Sequence, residues 1–252
     1  MQHYSDKQMR EVFHLLFLEH LLKTSSSGVY VLKGGVNLRF FLNSPRYSED
    51  MDLDVSGVAV PTLKKNGYKI IENPAFRRAL ATYGIVDIKI NDPSKAKQTE
   101  TTQRFRVRLV NQAGEEFPTQ VEFSRRTSLD KYAEEEINPA ITGPYKRLSY
   151  SCKHYEGAFA VVQKIHALAG RTEVQARDVF DLYLLYLGNH FDRSTWNLEK
   201  NVLRQAQTNA ISITHQQYHD QVEMYLDPEG SKAYGGKKFW DQIQSKIVDE
   251  LE

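Results

Sequence analysis

Cysteine is almost missing from this sequence: Cys152 stands alone, which excludes an intrachain disulfide and any zinc site built from several thiolates, and fits a reducing compartment. An excess of one charge sign is missing too. Thirty-three basic residues face thirty-two acidic ones, a formal net charge of +1, so no global field marks a nucleic-acid or membrane partner, and any such partner must be held by a local patch. Long apolar runs are absent as well. The longest, 12–22, is broken by His14, Glu19 and His20, and the first ten residues are mixed and charged, so neither a membrane span nor a signal peptide is expected and the default address is the cytoplasm. There is no internal repeat, no low-complexity tract, no H-E-x-x-H and no G-x-S-x-G.

What remains is an ordinary globular composition. At 252 residues, 40% hydrophobic and 26% charged, the chain buries a core as one large domain or two modest ones. Ser5 followed by Gln8 reads as a capping box, and Met9, Val12, Phe13, Leu16, Phe17 and Leu21 recur at helical spacing, which predicts a first helix over residues 5–23. Residues 29–32 suit a buried strand, Gly34-Gly35 a turn, and residues 36–42 a short helix broken by Ser44-Pro45. A second strand is expected from near Asp50, where Met51, Leu53 and Val55 alternate with Asp50, Asp52 and Asp54. Between 56 and 100 the pattern weakens to a helix opened by Asn73-Pro74, a strand over 86–90, and a loop over 92–102. Two clearer strands carry Phe105, Val107 and Leu109, then Val121 and Phe123, with a hairpin turn at 111–116. After about residue 150 only helical periodicities are read. Strands followed by helices predict an α+β arrangement, or two lobes with a cleft between them.

The most informative segment runs from Lys33-Gly34-Gly35 to Ser48-Glu49-Asp50-Met51-Asp52-Leu53-Asp54. Residues two apart on a strand point to one face about 6.5–7 Å apart, so Asp50 and Asp52 can reach a single divalent cation over that face. Two carboxylates suit a hard ion such as Mg²⁺, which completes its shell with water and nucleotide phosphates, a geometry for phosphate transfer. Asp54 shares the face at ~13 Å from Asp50, which suits a strand-end or loop contact. Gly34 and Gly35 stand before a helix start, where backbone N–H groups approach phosphate oxygens. Each feature alone has a plainer reading: a D-x-D also lines the solvated face of an edge strand, and a glycine pair also makes a tight turn. Their closeness in the chain favours a site. Arg104, Arg106 and Arg108, with Lys95, Lys97 and Arg125 nearby, offer a basic surface to an RNA acceptor or an acidic partner, and equally suit a soluble strand face.

The strings Val31-Leu32-Lys33-Gly34-Gly35-Val36-Asn37-Leu38-Arg39 and Arg46-Tyr47-Ser48-Glu49-Asp50-Met51-Asp52-Leu53 resemble the opening motif of the AbiEii/AbiGii toxin family, a branch of the polymerase β-like nucleotidyltransferases. Far downstream, Gln163-Lys164-Ile165-His166-Ala167-Leu168, Arg171 and Arg177-Asp178-Val179-Phe180-Asp181-Leu182-Tyr183 resemble that family's helical lysine motif and its Arg-Asp-x-x-Asp-Leu motif. The resemblance covers roughly residues 10–190. It implies a nucleotidyltransferase-like α/β lobe over 1–150 with a mixed β-sheet, a helical lobe over 151–252, and an active-site cleft between them. It further implies Mg²⁺ (or Mn²⁺), a nucleoside triphosphate as substrate, a hydroxyl acceptor such as the tRNA 3′ end, and a cognate antitoxin in a toxin-antitoxin or abortive-infection system.

By the same likeness Asp50 and Asp52 hold the metal, Lys33, Gly34, Gly35 and Ser48 embrace the triphosphate, and Lys164 sets a point charge against phosphate oxygens. Arg171 is assigned to the nucleotide, and Asp181, next to Leu182 and Leu185, either to the nucleotide or to a structural hydrogen-bond acceptor. Asp178 is either catalytic or orients Lys164 or Arg177 by an ion pair. Glu122, between core-facing Val121 and Phe123, fits the third acid such sites use, or else pairs with Arg125 or Arg126. Two other functions use the same residues: a catalytically silent nucleotide- or partner-binding protein, and a sugar-nucleotide transferase whose metal sits on the D-x-D.

Overall fold

The computed structural model describes residues 3–24, 28–90 and 99–252; Ser25-Ser26-Ser27 and the expected loop residues 92–98, with Lys95 and Lys97, lie outside them. The chain divides into two compact units, Met1–Phe41 with Tyr47–Tyr155, and Leu42–Arg46 with Glu156–Glu252.

The first unit contains α1 (Asp6–Thr24), β1 (Val29–Lys33), α2 (Gly34–Phe41), β2 (Met51–Ser56), α3 (Val60–Glu72), α4 (Pro74–Ala81) and β3 (Ile85–Ile90). It continues through β4 (Thr102–Asn111), β5 (Glu116–Arg125), β6 (Tyr132–Glu136), α5 (Pro139–Thr142) and β7 (Ser151–Tyr155). Its strands form one mixed seven-stranded sheet in the order β3-β4-β5-β2-β1-β7-β6. The pairs β2/β5 and β1/β7 are parallel, while β1/β2, β3/β4, β4/β5 and β6/β7 are antiparallel. Alternation sorts its two faces. Met51, Leu53, Val55, Phe105, Val107, Val121 and Phe123 are buried on the side that packs α1, α3 and α4, with Phe13, Phe17, Phe76 and Phe123 in edge-on and tilted ring contacts. The other face carries the polar residues of the same strands.

The capping box forms as expected, Ser5 N–H donating to Gln8 Oε1 at 3.0 Å and Gln8 N–H to Ser5 Oγ at 3.3 Å. The helix opened by Asn73-Pro74 and the 111–116 turn, with Gly114 at φ +80°, also form. The unexpected elements include α3, β6 and β7. In α3, Gly67 occupies a buried position where an added Cβ would lie 2.4 Å from the Phe105 ring, so a residue that weakens the helical pattern is there to admit an aromatic ring. The strands β6 and β7 carry Tyr-Ala-Glu-Glu-Glu and Ser-Cys-Lys-His-Tyr, without clean apolar alternation, and exist through their pairing with each other and with β1. The chain after 150 is therefore not purely helical. Cys152 lies in β7, buried, its thiol pushed up to about 12 by burial.

The second unit is built from α6 (Gly157–Gly170), α7 (Ala176–Leu187), α8 (Lys200–Ser212), α9 (His215–Gln221), α10 (Pro228–Tyr234) and α11 (Lys237–Glu250), with Leu42–Arg46 laid against them. Ile165, Leu168, Phe180, Leu182, Tyr218, Trp240, Ile243 and Ile247 form its core, Tyr218 stacking on Trp240 at 4.7 Å. The later helices brace the earlier ones: Asn209 Nδ2 donates to the Leu168 carbonyl at 2.7 Å near the end of α6, and Gln221 Oε1 accepts from Ala176 N–H at 2.7 Å at the start of α7. Among the described residues no helix is long and apolar enough to cross a membrane.

Candidate active site

In the sheet unit, the glycine turn comes against one of the two expected metal carboxylates, Asp52. Lys33, the last residue of β1, pairs in register with Asp52 on β2, so Gly34 follows immediately beside that carboxylate. Gly34 has φ +68°, and a Cβ built there would stand 3.1 Å from Asp52 Oδ2. Both facts call for glycine: the left-handed backbone, and the lack of room for a methyl against a carboxylate.

Asp50 precedes β2 and is fixed by its neighbours. Gln120 N–H on β5 donates to Asp50 Oδ1 at 3.1 Å, and Ser48 Oγ donates to the Asp50 carbonyl at 2.9 Å. Ser48 thus shapes the entry to the strand. Behind it, Thr119 Oγ1 donates to the Glu49 carbonyl at 2.6 Å, and His14 Nε2 on α1 lies 2.9 Å from Thr119 Oγ1. Burial, then the charge of Arg10, push the His14 imidazole down to about 3, so it is neutral at physiological pH. With the threonine proton committed to Glu49, the oxygen accepts from His14, which places the imidazole proton on Nε2.

Glu122 pairs in register with Asp52 on one side and Arg104 on the other, so it does stand beside the metal-binding candidate. Its ion-pair partner is Arg104, Nε to Oε2 2.6 Å, instead of Arg125 or Arg126. Arg125 donates to the Glu100 carbonyl, and Arg126 lies 3.2 Å from Asp54. Asp54 is buried and meets residues at or just past strand ends: it accepts from Lys33 Nζ at 2.6 Å and from the Tyr155 hydroxyl at 2.8 Å, and pairs with Arg126. Lys33, expected at the nucleotide, has its ammonium on Asp54 and on Ser124 Oγ at 3.2 Å.

In the helical unit, Lys164 on α6 and the two aspartates of α7 form one cluster. Lys164 Nζ donates to Asp178 Oδ1 at 3.0 Å and lies 2.6 Å from Asp181 Oδ2. Arg171, just past the end of α6, donates from Nε to Asp178 Oδ2 at 2.6 Å. Arg46 closes the cluster from the other side, its Nη2 lying 3.1 and 3.0 Å from the two oxygens of Asp181. Both aspartates are fully buried, whereas the Lys164 and Arg171 side chains keep 12% and 38% of their exposure. The carboxylates therefore orient, and the cations are what solvent or a ligand meets. Burial acts to raise the Asp181 carboxyl, but Arg46 and Lys164 outweigh it and hold it below its ordinary value. Three cations against two carboxylates leave the cluster net positive.

Arg46 carries no expected role, although it opens the string Arg46-Tyr47-Ser48; no spacing rule links it to a helix so far along the chain. Its segment is pinned in the helical unit by Asp227 N–H donating to the Pro45 carbonyl at 2.9 Å and by a bridge between Arg46 and Leu226. Part of the sequence beyond residue 190 thus serves to seat this arginine.

The donor set suits a metal that takes few protein ligands. Among the described residues no three His, Cys, Asp or Glu side chains are grouped so that they could hold a metal ion. Asp52 beside the glycine turn and Asp50 just before the same strand are of the donor type that suits Mg²⁺ or Mn²⁺, which accept one or two carboxylates with water and phosphate oxygens.

Comparison with known proteins places the fold. JHP933 from Helicobacter pylori matches with a TM-score of 0.54 at 18% identity, over 99% of this chain and 95% of that one. A putative nucleotidyltransferase from H. pylori matches with 0.52 at 20% identity, over 99% of both chains. MenT4, a nucleotidyltransferase toxin from Mycobacterium tuberculosis, matches with 0.57 at 18% identity, over 98% of this chain and 84% of that one. Such likeness establishes a shared α+β fold. No curated protein matches. The family described as "Nucleotidyl transferase AbiEii toxin, Type IV TA system" matches residues 16–249, leaving the sugar-nucleotide reading without support. That match runs through both compact units and nearly the whole chain, and on its extent the chain belongs to the AbiEii family of nucleotidyltransferase toxins.

Proposed function

We propose that this nucleotidyltransferase moves a nucleoside monophosphate from a nucleoside triphosphate onto a hydroxyl of a nucleic acid, with the tRNA 3′ end as acceptor, and that a cognate antitoxin restrains it in the cytoplasm. The observation that carries the reading is Gly34, held at φ +68° beside the carboxylate of Asp52. It joins a backbone phosphate turn to a metal-binding carboxylate at one point of the sheet.

In the reaction, the acceptor oxygen bonds to the α-phosphorus, the bond to the β-phosphate oxygen breaks, and pyrophosphate leaves. Asp50 and Asp52 are the residues that would hold Mg²⁺ or Mn²⁺. Such an ion, when bound, supplies positive charge to phosphate oxygens and eases loss of a hydroxyl proton. Gly34 and Gly35 present backbone N–H groups at the start of α2 to phosphate oxygens, and Ser48 keeps Asp50 in place. Glu122, steadied by Arg104, receives the acceptor's proton. Within the helical unit, Lys164 and Arg171 carry positive charge of the kind that suits phosphate oxygens, and Asp178 and Asp181 hold them in position.

The test is label transfer from α-³²P-NTP to total tRNA in the presence of Mg²⁺. Asp50→Asn and Asp52→Ala are expected to lower it about a thousandfold or more while leaving the circular dichroism unchanged. Full activity in either variant would overturn the metal assignment, and labelling of protein or another RNA instead would redirect the acceptor.

A further inference from the structure

The polar face of the sheet does not end at the carboxylates. Across β5 from Asp50 runs β4, whose Arg104, Arg106 and Arg108 share that face, about 6.5–7 Å apart. Their partners differ. Arg104 is tied to Glu122 and Arg108 lies 3.4 Å from Glu116, whereas Arg106 is exposed and donates from Nε only to the neutral amide of Gln120, Oε1 at 3.3 Å, with no carboxylate partner among the described residues. Gln120 is also the residue whose N–H holds Asp50. Arg106, Gln120 and Asp50 therefore lie in one row, with β2 and β4 two strand spacings, about 10 Å, apart.

Asp50 and Arg106 line the same open cavity of about 300 Å³, completed by Glu49, Val107, Pro118, Thr119 and Gln120. That volume is at the low end for ligand sites and suits a phosphate with its sugar. The glycine turn lies on the opposite side of Asp52, toward β1. A triphosphate held at Gly34 and Gly35 thus leaves the β5/β4 side open to the other reactant.

We propose that this cavity is an acceptor subsite in which Arg106 grips a backbone phosphate of a single nucleic-acid strand beside the metal carboxylates. The proposal deepens the transferase reading and rests on it. A guanidinium with no carboxylate partner among the described residues presents its fork to a phosphate, and Arg104 and Arg108 on either side extend the positive row along which an extended strand can run. Glu49 and Asp50 on the facing wall repel a phosphate until a divalent cation is present, so binding is expected to need Mg²⁺.

The experiment measures a fluorescein-labelled oligoadenylate by anisotropy, with Mg²⁺ and without NTP, between about 50 and 200 mM salt. It also measures KM for RNA and for NTP in the transfer assay. Arg106→Gln should weaken RNA binding about tenfold, lower the magnitude of the salt slope by about one, and leave the KM for NTP alone. Arg106→Lys should recover part of the affinity and all of the slope, while Arg78→Gln, an equal charge change on α4, should leave both at the wild-type values. Unchanged RNA affinity and slope in Arg106→Gln would overturn the subsite. So would a raised KM for NTP with RNA affinity intact, which would assign the phosphate to the triphosphate. Absence of transfer by the wild-type chain would overturn the transferase reading instead, and the anisotropy arm would still decide on Arg106.

Discussion

Gly34 and Gly114 are a natural pair for separating strain from function, because both sit at positive φ and only Gly34 neighbours a carboxylate proposed to hold the metal. Gly114, at φ +80° in the β4–β5 turn, has nothing within 4 Å of a built Cβ; Gly34 has Asp52 Oδ2 at 3.1 Å. Alanine at either site forces an L-residue into the left-handed region, about 1–2 kcal/mol, or roughly 2–8 °C in Tm for a chain of this size. Only Gly34→Ala also presses a methyl on the carboxylate. Melting should show similar losses for Gly34→Ala and Gly114→Ala, whereas initial transfer rates should fall more than about tenfold for Gly34→Ala alone. Equal rates in the two variants would remove Gly34 from the site. At this scale the sequence was readable up to chemistry and not to environment. Asp50, Asp52 and Asp54 look alike as an alternating run, yet Asp54 is buried on Lys33 and Tyr155, because Lys33 crosses from the adjacent strand to reach it.

Between elements, the connection from α1 through β5 to the start of β2 is a hydrogen-bonded line of His14, Thr119 and the Glu49 carbonyl. It gives stability a pH dependence of definite sign. His14 falls from 6.5 to about 3 on folding, so below pH 6.5 the unfolded chain takes up a proton that the folded chain refuses. Its contribution is fully present above pH 6.5 and is lost as pH falls toward 3, by about 1.4 kcal/mol per pH unit. His14→Gln keeps a donor near Thr119 and does not titrate. Urea midpoints at pH 7 and 5 should therefore drop further for the wild type than for His14→Gln, and parallel drops would show that His14 is not the titrating group. The paired aspartates of α7 were visible as an i, i+3 spacing, and so was the approach of Asp178, though not of Asp181, to Lys164 as one of its options. The hidden elements were those whose state comes from a neighbour: β6 and β7 from sheet pairing, and α3 from the ring that Gly67 admits.

For the whole molecule, ligand linkage gives the broadest test of the carboxylate assignment. If Asp50 and Asp52 bind Mg²⁺ or Mn²⁺ only when folded, metal at a hundred times its Kd adds about 2.7 kcal/mol, several degrees of Tm, and EDTA reverses it. Asp50→Asn and Asp52→Ala should melt at the same temperature with and without metal; a wild-type chain insensitive to Mg²⁺ and Mn²⁺ would show that the pair does not form a site. Fold class and family were legible from the sequence itself, because strand alternation, helical spacing and the glycine and D-x-D strings are local, repeating patterns that need no partner to be recognised. Tertiary structure alone decided which side chains meet. Arg46 finds Asp181, His14 finds Thr119, Glu122 finds Arg104 and Arg106 is left with a neutral partner. Ion pairs and hydrogen bonds act over a few ångströms, and which groups come that close is set by strand order, register and helix packing, none of which is written in the spacing of residues along the chain.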